Sequence, residues 1–209
     1  MEGEIMGLVL KRRGQISLEF MLVFAIMMVM LMYSVKSVGF NSSSPSSGTL
    51  AIQIALEEKS VANVIAGAID QVYAQGPGSK VTVYAHFNLL RNSKYLKNAF
   101  NLTSPQVRLM FLGTEDPLFP TGAENSVVVV AVSNAGSTPV ISGSNRTGVW
   151  VQTYFLYNST STTGFTLSFA PSDVPTTMRV VVEWNPSKPV SMTYDSTSGT
   201  LHINIRPGG

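Results

Sequence analysis

The chain has 209 residues, a formal net charge of +2 and no cysteine. Near-neutrality gives no support for nucleic-acid binding, which needs a concentrated basic face, and the lack of cysteine excludes disulfides, thiol nucleophiles and thiolate metal sites. Hydrophobic residues make up 44% of the chain and charged residues only 12%. This composition allows a long apolar helix together with one globular domain of ordinary size.

A leader and a long apolar helix are predicted at the start of the chain, over residues 1–14 and 15–40. The apolar run from Ile16 to Val35 is about 20 residues long, or roughly 30 Å as a helix, which is enough to cross a hydrocarbon core. The leader ends in three basic residues and a glycine: Lys11, Arg12, Arg13 and Gly14.

Glu19 does not fit a plain membrane anchor. It lies one turn into the apolar helix, where an unpaired carboxylate costs at least a few kcal/mol, so a partner for it is expected. A cut between Gly14 and Gln15 would create a free α-amino group one helical turn before Glu19. This amine would be within reach of the carboxylate of the same or a neighbouring copy.

These residues resemble the class III signal peptide of type IV pilin-like proteins, in its archaeal Gln-x-Ser-x-Glu form. The resemblance covers about Lys11 to Val35 and includes Gln15, Ser17 and Glu19 in register. It implies that a membrane prepilin peptidase recognises the basic residues and cuts after Gly14. It also implies that Glu19 and Phe20 act in assembly, that the helix packs with its copies in a filament core, and that an assembly ATPase and a membrane platform are partners.

Two simpler interpretations compete with this one. An ordinary secretory signal is cut after its apolar segment at small residues, and residues 33–39 fit that pattern poorly. An ordinary single-span anchor explains Lys11–Arg13 by the positive-inside rule, but it leaves Glu19 unexplained.

A polar hinge and an amphipathic helix are predicted next, over residues 41–48 and 49–76. The hinge is rich in serine and contains Pro45 and Gly48, which break helices. The helix is predicted because Ile54, Val61, Ile65, Ala68 and Val72 recur on one face, which we expect to pack on the protein's own sheet or on a neighbouring subunit. The polar residues are expected mostly on other faces: Glu57, Glu58, Lys59, Asn63 and Asp70.

Residues 77–209 change to a period of two and predict eight short strands separated by turns, with Arg91–Asn101 as a short helix or an irregular excursion. Regularly spaced short strands are typical of an antiparallel β-sandwich. The predicted fold class is therefore α+β, with an apolar amino-terminal helix, a second amphipathic helix and a β-sandwich head.

Candidate chemistry in the head is sparse. His86 and His202 lie singly in strand patterns, so neither a catalytic site nor a metal site is predicted. The loop carboxylates lack the Asp-x-Asp-x-Asp-Gly pattern of a calcium loop and are expected to be solvated; they are Glu115, Asp116 and Glu124. Candidate N-glycosylation motifs begin at Asn41, Asn101, Asn145 and Asn158. No cofactor is predicted.

Together these features predict a non-enzymatic structural subunit of an archaeal surface filament. The precursor is expected in the cell membrane, and the processed subunit in an extracellular homo-oligomeric filament. The alternatives are a membrane-tethered binding module, such as an adhesin or a stator-like component bound to the surface layer, and a secreted enzyme.

Processing at Gly14 is directly testable. Amino-terminal sequencing of the mature protein should begin at Gln15, and Gly14→Val should leave the longer precursor in the membrane because the site requires a small residue. A mature terminus near Gly39 would instead indicate ordinary secretion.

Overall fold

The structure, a computed structural model, describes residues 20–32, 45–143, 145–155 and 164–207. The chain divides into two compact units, Met1–Ser46 and Ser47–Gly209. The described residues form three helices and two four-stranded sheets, which confirms the α+β class. Several predicted site residues lie outside the described ranges: Lys11, Arg12, Arg13, Gly14, Gln15, Glu19, Asn41 and Asn158.

The described helix of the first unit, α1, spans residues 20–32. Every residue in it is apolar, as predicted, and the flanking parts of the predicted Ile16–Val35 helix lie outside the described ranges. No helix among the described residues combines the length and the apolar character that a membrane crossing requires.

Helix α2 spans Pro45–Gln75. It begins before the predicted start at Thr49, so the part of the predicted hinge from Pro45 to Gly48 is helical. Proline is tolerated in the first helical turn because the N–H that it lacks would have no intrahelical partner there. The helix ends as predicted, before Gly76, whose φ of 86° suits a residue without a side chain.

All eight predicted strands are present, and the segment after Arg91 contains the short helix. The helix α3 spans Ser93–Phe100, with Asn92 as its N-cap, and a single 3₁₀ turn spans Pro171–Asp173. The fourth strand, which alternation predicts over Gly148–Tyr157, ends at Gln152. The strands are β1 Lys80–His86, β2 Pro105–Leu112, β3 Val127–Asn134, β4 Gly148–Gln152, β5 Phe165–Phe169, β6 Thr177–Glu183, β7 Ser191–Asp195 and β8 Thr200–Asn204.

The first sheet has the order β1-β6-β8-β7, and the second has the order β4-β3-β2-β5. All pairs are antiparallel except β6 with β8, which is parallel. The prediction of a purely antiparallel arrangement was therefore wrong for the first sheet. After β6 the chain forms β7 at the far edge and returns as β8 between the two, so β8 runs in the same direction as β6.

One hydrophobic core joins α2 to the inner faces of both sheets. Ile65 and Ile69 of α2, Val180 and Leu201 of the first sheet, and Val130 of the second are all buried in it. The second sheet is also covered on its other face, where a smaller cluster contains Met110, Leu112, Val127, Val129, Ala131 and Ile141. This double coverage explains why β3 is buried along almost its whole length.

The two sheets approach each other at the edge strands β5 and β7. Phe169 of β5 and Tyr194 of β7 make an edge-to-face contact with ring centroids 5.0 Å apart. The opposite edge strands are β1 and β4, and the polar contacts of α2 are made at those edges.

Two glycines give a matched test of the packing around β4. A Cβ added at Gly148 would lie 2.4 Å from the Cβ of Ala131, whereas a Cβ at Gly67 in α2 would meet nothing within 4 Å. Gly148→Ala should lower the free energy of unfolding of the unit Ser47–Gly209 by about 1–3 kcal/mol through overpacking. Gly67→Ala should raise it by about 0.5–1 kcal/mol. Denaturant unfolding checks both values, and equal effects would contradict this packing.

Candidate functional site

The most unusual surface in the described chain is helix α1. The exposed fraction of its large side chains ranges from 51% at Phe24 to 76% at Met32. Phe20, which the sequence predicts to act in assembly, is 69% exposed and stacks on Phe24 with ring centroids 6.5 Å apart. A helix that is apolar on every side is normally enclosed by lipid or by other protein. We therefore expect lipid or other protein to cover the side chains of α1.

The second unit carries a separate apolar surface, which we call the α2–β4 groove. Its volume is about 550 Å³, and it is lined by one side of α2, by β4 and by Arg146. Ile52 and Leu56 of α2 are 64% and 66% exposed in it. The remaining lining residues are Ala55, Lys59, Val149, Trp150, Val151 and Gln152.

Polar contacts fix α2 against β4 and the residues that follow it. The Lys59 ammonium donates to the backbone carbonyl of Trp150 at 3.1 Å, and the Asp70 carboxylate accepts from the backbone N–H of Tyr154 at 2.7 Å. Burial raises the pKa of Asp70, while the Tyr154 N–H opposes that rise. Because β4 is an edge strand, these contacts also protect a sheet edge from pairing with another chain.

On its other side, α2 is attached to the loop that follows β1. The Glu57 carboxylate accepts hydrogen bonds from the backbone N–H groups of Asn88, Leu89 and Leu90 at 2.7, 2.8 and 3.3 Å. Hydrogen bonds from neutral donors to a charged carboxylate are stronger than ordinary ones. Helix α2 therefore connects the edge strand of the first sheet to the edge strand of the second.

Glu58 lies between Glu57 and Lys59 in the sequence. The prediction that it lies on an outer face of α2 was wrong. It is only 1% exposed, and its Oε1 has no hydrogen-bond partner within the described part of the chain. Burial, and secondarily the charge of Glu57, raise the pKa of Glu58 well above 4.5. Its spacing from Ile54, Val61 and Ile65 places it on the buried face, and this is the signal that could have identified it.

The candidate glycosylation sites within the described ranges are accessible. Asn101 is exposed and ends α3 in the left-handed conformation, with φ of 52°. Asn145 is exposed in a turn before β4. The threonine of each motif is hydrogen-bonded to a neighbouring segment: Thr103 to the Asn134 side chain, and Thr147 to the Val132 carbonyl.

The other candidate residues are not brought together. His86 lies 3.1 Å from the Thr177 hydroxyl, and His202 lies on a different strand of the same sheet. Glu115 and Glu124 are exposed as predicted, but Asp116 is buried and accepts hydrogen bonds from the backbone N–H groups of Leu118 and Gly164. Within the described ranges, no group of three or more histidine, aspartate or glutamate residues is arranged to hold a metal ion.

Comparisons with protein families, with curated protein sequences and with solved structures give no match to this chain. Family membership therefore stays a prediction based on residues 11–35.

Glu58 gives the protein a predictable pH dependence. In the unfolded chain this carboxyl ionises near its ordinary pKa of 4.5, but in the fold it keeps its proton to higher pH. The unfolded state then binds fewer protons, so stability falls as pH rises from about 4.5 towards the raised pKa. Glu58→Gln should remove this fall and stabilise the protein at neutral pH.

The measurement is denaturant unfolding of the wild type and the variant across that pH range. The exposed Glu124→Gln is the matched control and should keep the wild-type pH profile. If Glu58→Gln also keeps that profile, the carboxyl of Glu58 is not held protonated by burial.

Proposed function

We propose that the protein is a structural subunit of an archaeal type IV pilus-like surface filament, cut by a prepilin peptidase and assembled through its amino-terminal helix. The observation that carries the proposal is α1, whose apolar side chains are exposed on every side and directly follow the basic-Gly-Gln-x-Ser-x-Glu sequence. In this proposal the subunit consists of a filament-core helix over residues 15–40, followed by a β-sandwich head.

Before assembly, the apolar helix would hold the precursor in the membrane. Residues Ile16 to Val35 are long enough to span a bilayer as a helix, and Lys11, Arg12 and Arg13 would stay on the cytoplasmic side. Cutting after Gly14 removes these charges and creates the Gln15 amine. The cut subunit no longer carries the basic residues that oppose its movement out of the membrane.

Assembly would transfer α1 from lipid to a bundle of its own copies. Lipid tails are as apolar as leucine side chains, so this transfer gains little hydrophobic free energy. Close packing and polar pairing must then decide whether and how a subunit docks. Glu19 is the one charged residue within the apolar run, and pairing with a Gln15 amine would offset much of its burial cost and set the register.

The head would form the outer surface of the filament. It needs no disulfide because α2 and both sheets share one core. Asn101 and Asn145 are exposed on it and would be accessible to a glycosylation enzyme.

The main alternative is a membrane-tethered binding module. One observation favours it: the outer face of the first sheet is open, with Tyr84 and Arg179 exposed on paired positions of β1 and β6. A tethered module would use this face for binding and would remain in the membrane fraction.

Glu19 separates the two candidates. Glu19→Ala should leave cleavage and membrane insertion intact, since alanine enters a bilayer more easily than glutamate, but it should reduce incorporation into filaments. The measurement is the ratio of mature subunit in sheared filaments to mature subunit in membranes, with Glu124→Ala in the head as the matched control. A ratio unchanged from the wild type, together with normal cleavage, would favour the tethered module.

A further inference from the structure

Ile52 and Leu56 are the most exposed large apolar residues of α2, and they lie in its first half. Later in the helix, Tyr73 is 38% exposed and stacks on Trp184, and other outward positions carry small or polar residues: Ser60, Asn63, Gly67 and Gln71. The second half of the helix is therefore better suited to water than the first half. The α2–β4 groove lies beside this first half.

The groove also has a distinct charge pattern. Lys59 and Arg146 are its only charged lining residues, and both are cations. Lys59 donates one hydrogen bond, to the Trp150 carbonyl. Arg146 is exposed and has neither a hydrogen bond nor an ion pair to any described residue. An occupant that fits the groove is thus apolar and carries a carboxylate that can pair with Arg146.

The amino-terminal end of α1 has this chemistry. Phe20 and Phe24 form a stacked, exposed aromatic pair, and the residue directly before Phe20 is Glu19. The remaining α1 residues carry no charge. A groove of about 550 Å³ falls in the range of roughly 300–1,000 Å³ typical of ligand pockets. It could hold a few large side chains but not a whole helix.

We propose that the α2–β4 groove receives the Phe20–Phe24 end of α1 from a second copy of the chain, with Glu19 beside Arg146. This inference rests on the proposed function and names one contact within the filament: the Phe20–Phe24 side of α1 enters the groove, while the other sides of the helix pack on further copies. The carboxylate of Glu19 has two oxygens and about four acceptor positions, so it can bind a guanidinium and an amine together. The contact joins two different surfaces, and repeating such a contact without closure produces a filament.

The chain has no cysteine, so any disulfide between two copies must join introduced cysteines. A copy carrying Leu56→Cys is expressed together with a copy carrying Phe24→Cys, and sheared filaments are oxidised. The expected result is a disulfide-linked dimer that contains one copy of each variant. Replacing Leu56→Cys by Thr193→Cys, an exposed position on the outer face of the first sheet, should abolish this mixed dimer.

The outcomes distinguish the two proposals. If the wild-type protein is absent from sheared filaments, both the filament function and this contact are overturned. If both cysteine variants enter filaments but no mixed dimer forms, only the groove contact is overturned. When the two cysteines are placed in one chain, a product of monomer mass with both thiols oxidised would show that the occupant is the chain's own helix, which also overturns the contact between copies.

A charge reversal tests the carboxylate independently. Arg146→Glu should lower the ratio of filament to membrane subunit, because two carboxylates would then face each other. Arg146→Lys, which keeps the positive charge, is the matched control and should leave the ratio near that of the wild type. An Arg146→Glu ratio equal to that of the wild type would overturn the charge pairing.

Discussion

The attachment of α2 to the edges of both sheets is the constraint on which the head depends. Glu57 binds the loop after β1, while Lys59 and Asp70 bind β4 and the residues that follow it. The sheets contact each other directly at β5 and β7, so the helix covers the side that would otherwise remain open. Without α2, the inner faces near β1 and β4 would be exposed to water, together with two unprotected edge strands.

This arrangement gives the two faces of α2 different tasks. The inner face closes the core, and it does so despite enclosing Glu58, a carboxyl whose raised pKa reflects the cost of ionising it there. The outer face, in its first turns, carries the apolar residues of the α2–β4 groove. One helix therefore supports the head and also presents the surface that we propose as a contact with the next subunit.

Most elements could be predicted from the sequence because each has a local signal. The recurrence of Ile54, Val61 and Ile65 predicted α2, and alternation predicted the strands. The start of α2 was missed because Pro45 and Gly48 were interpreted as helix breakers, although proline suits the first turn. The position of β8 between β6 and β7 was missed because the choice of partner strand depends on tertiary contacts, which local patterns do not report.

The candidate site also has some features that the sequence could predict and others that it could not. The apolar character of α1 follows from a continuous run of residues, so the sequence could predict it. The α2–β4 groove joins residues that are 91 positions apart, such as Lys59 and Trp150, and no local pattern links them. Glu58 had a usable signal in its helical spacing, but its charge led to its assignment to the outer face.

The placement of β8 has a consequence for the order in which the head is built. Strand β1 pairs with β6, at positions such as His86 and Thr177 that are 91 residues apart, and β7 joins the first sheet only through β8. Because β7 joins only through β8, the first sheet cannot be completed until β8 is present, and non-local pairing of this kind is slow. In a subunit tethered as we propose and exported during its synthesis, this sheet would be completed only on the outer side of the membrane.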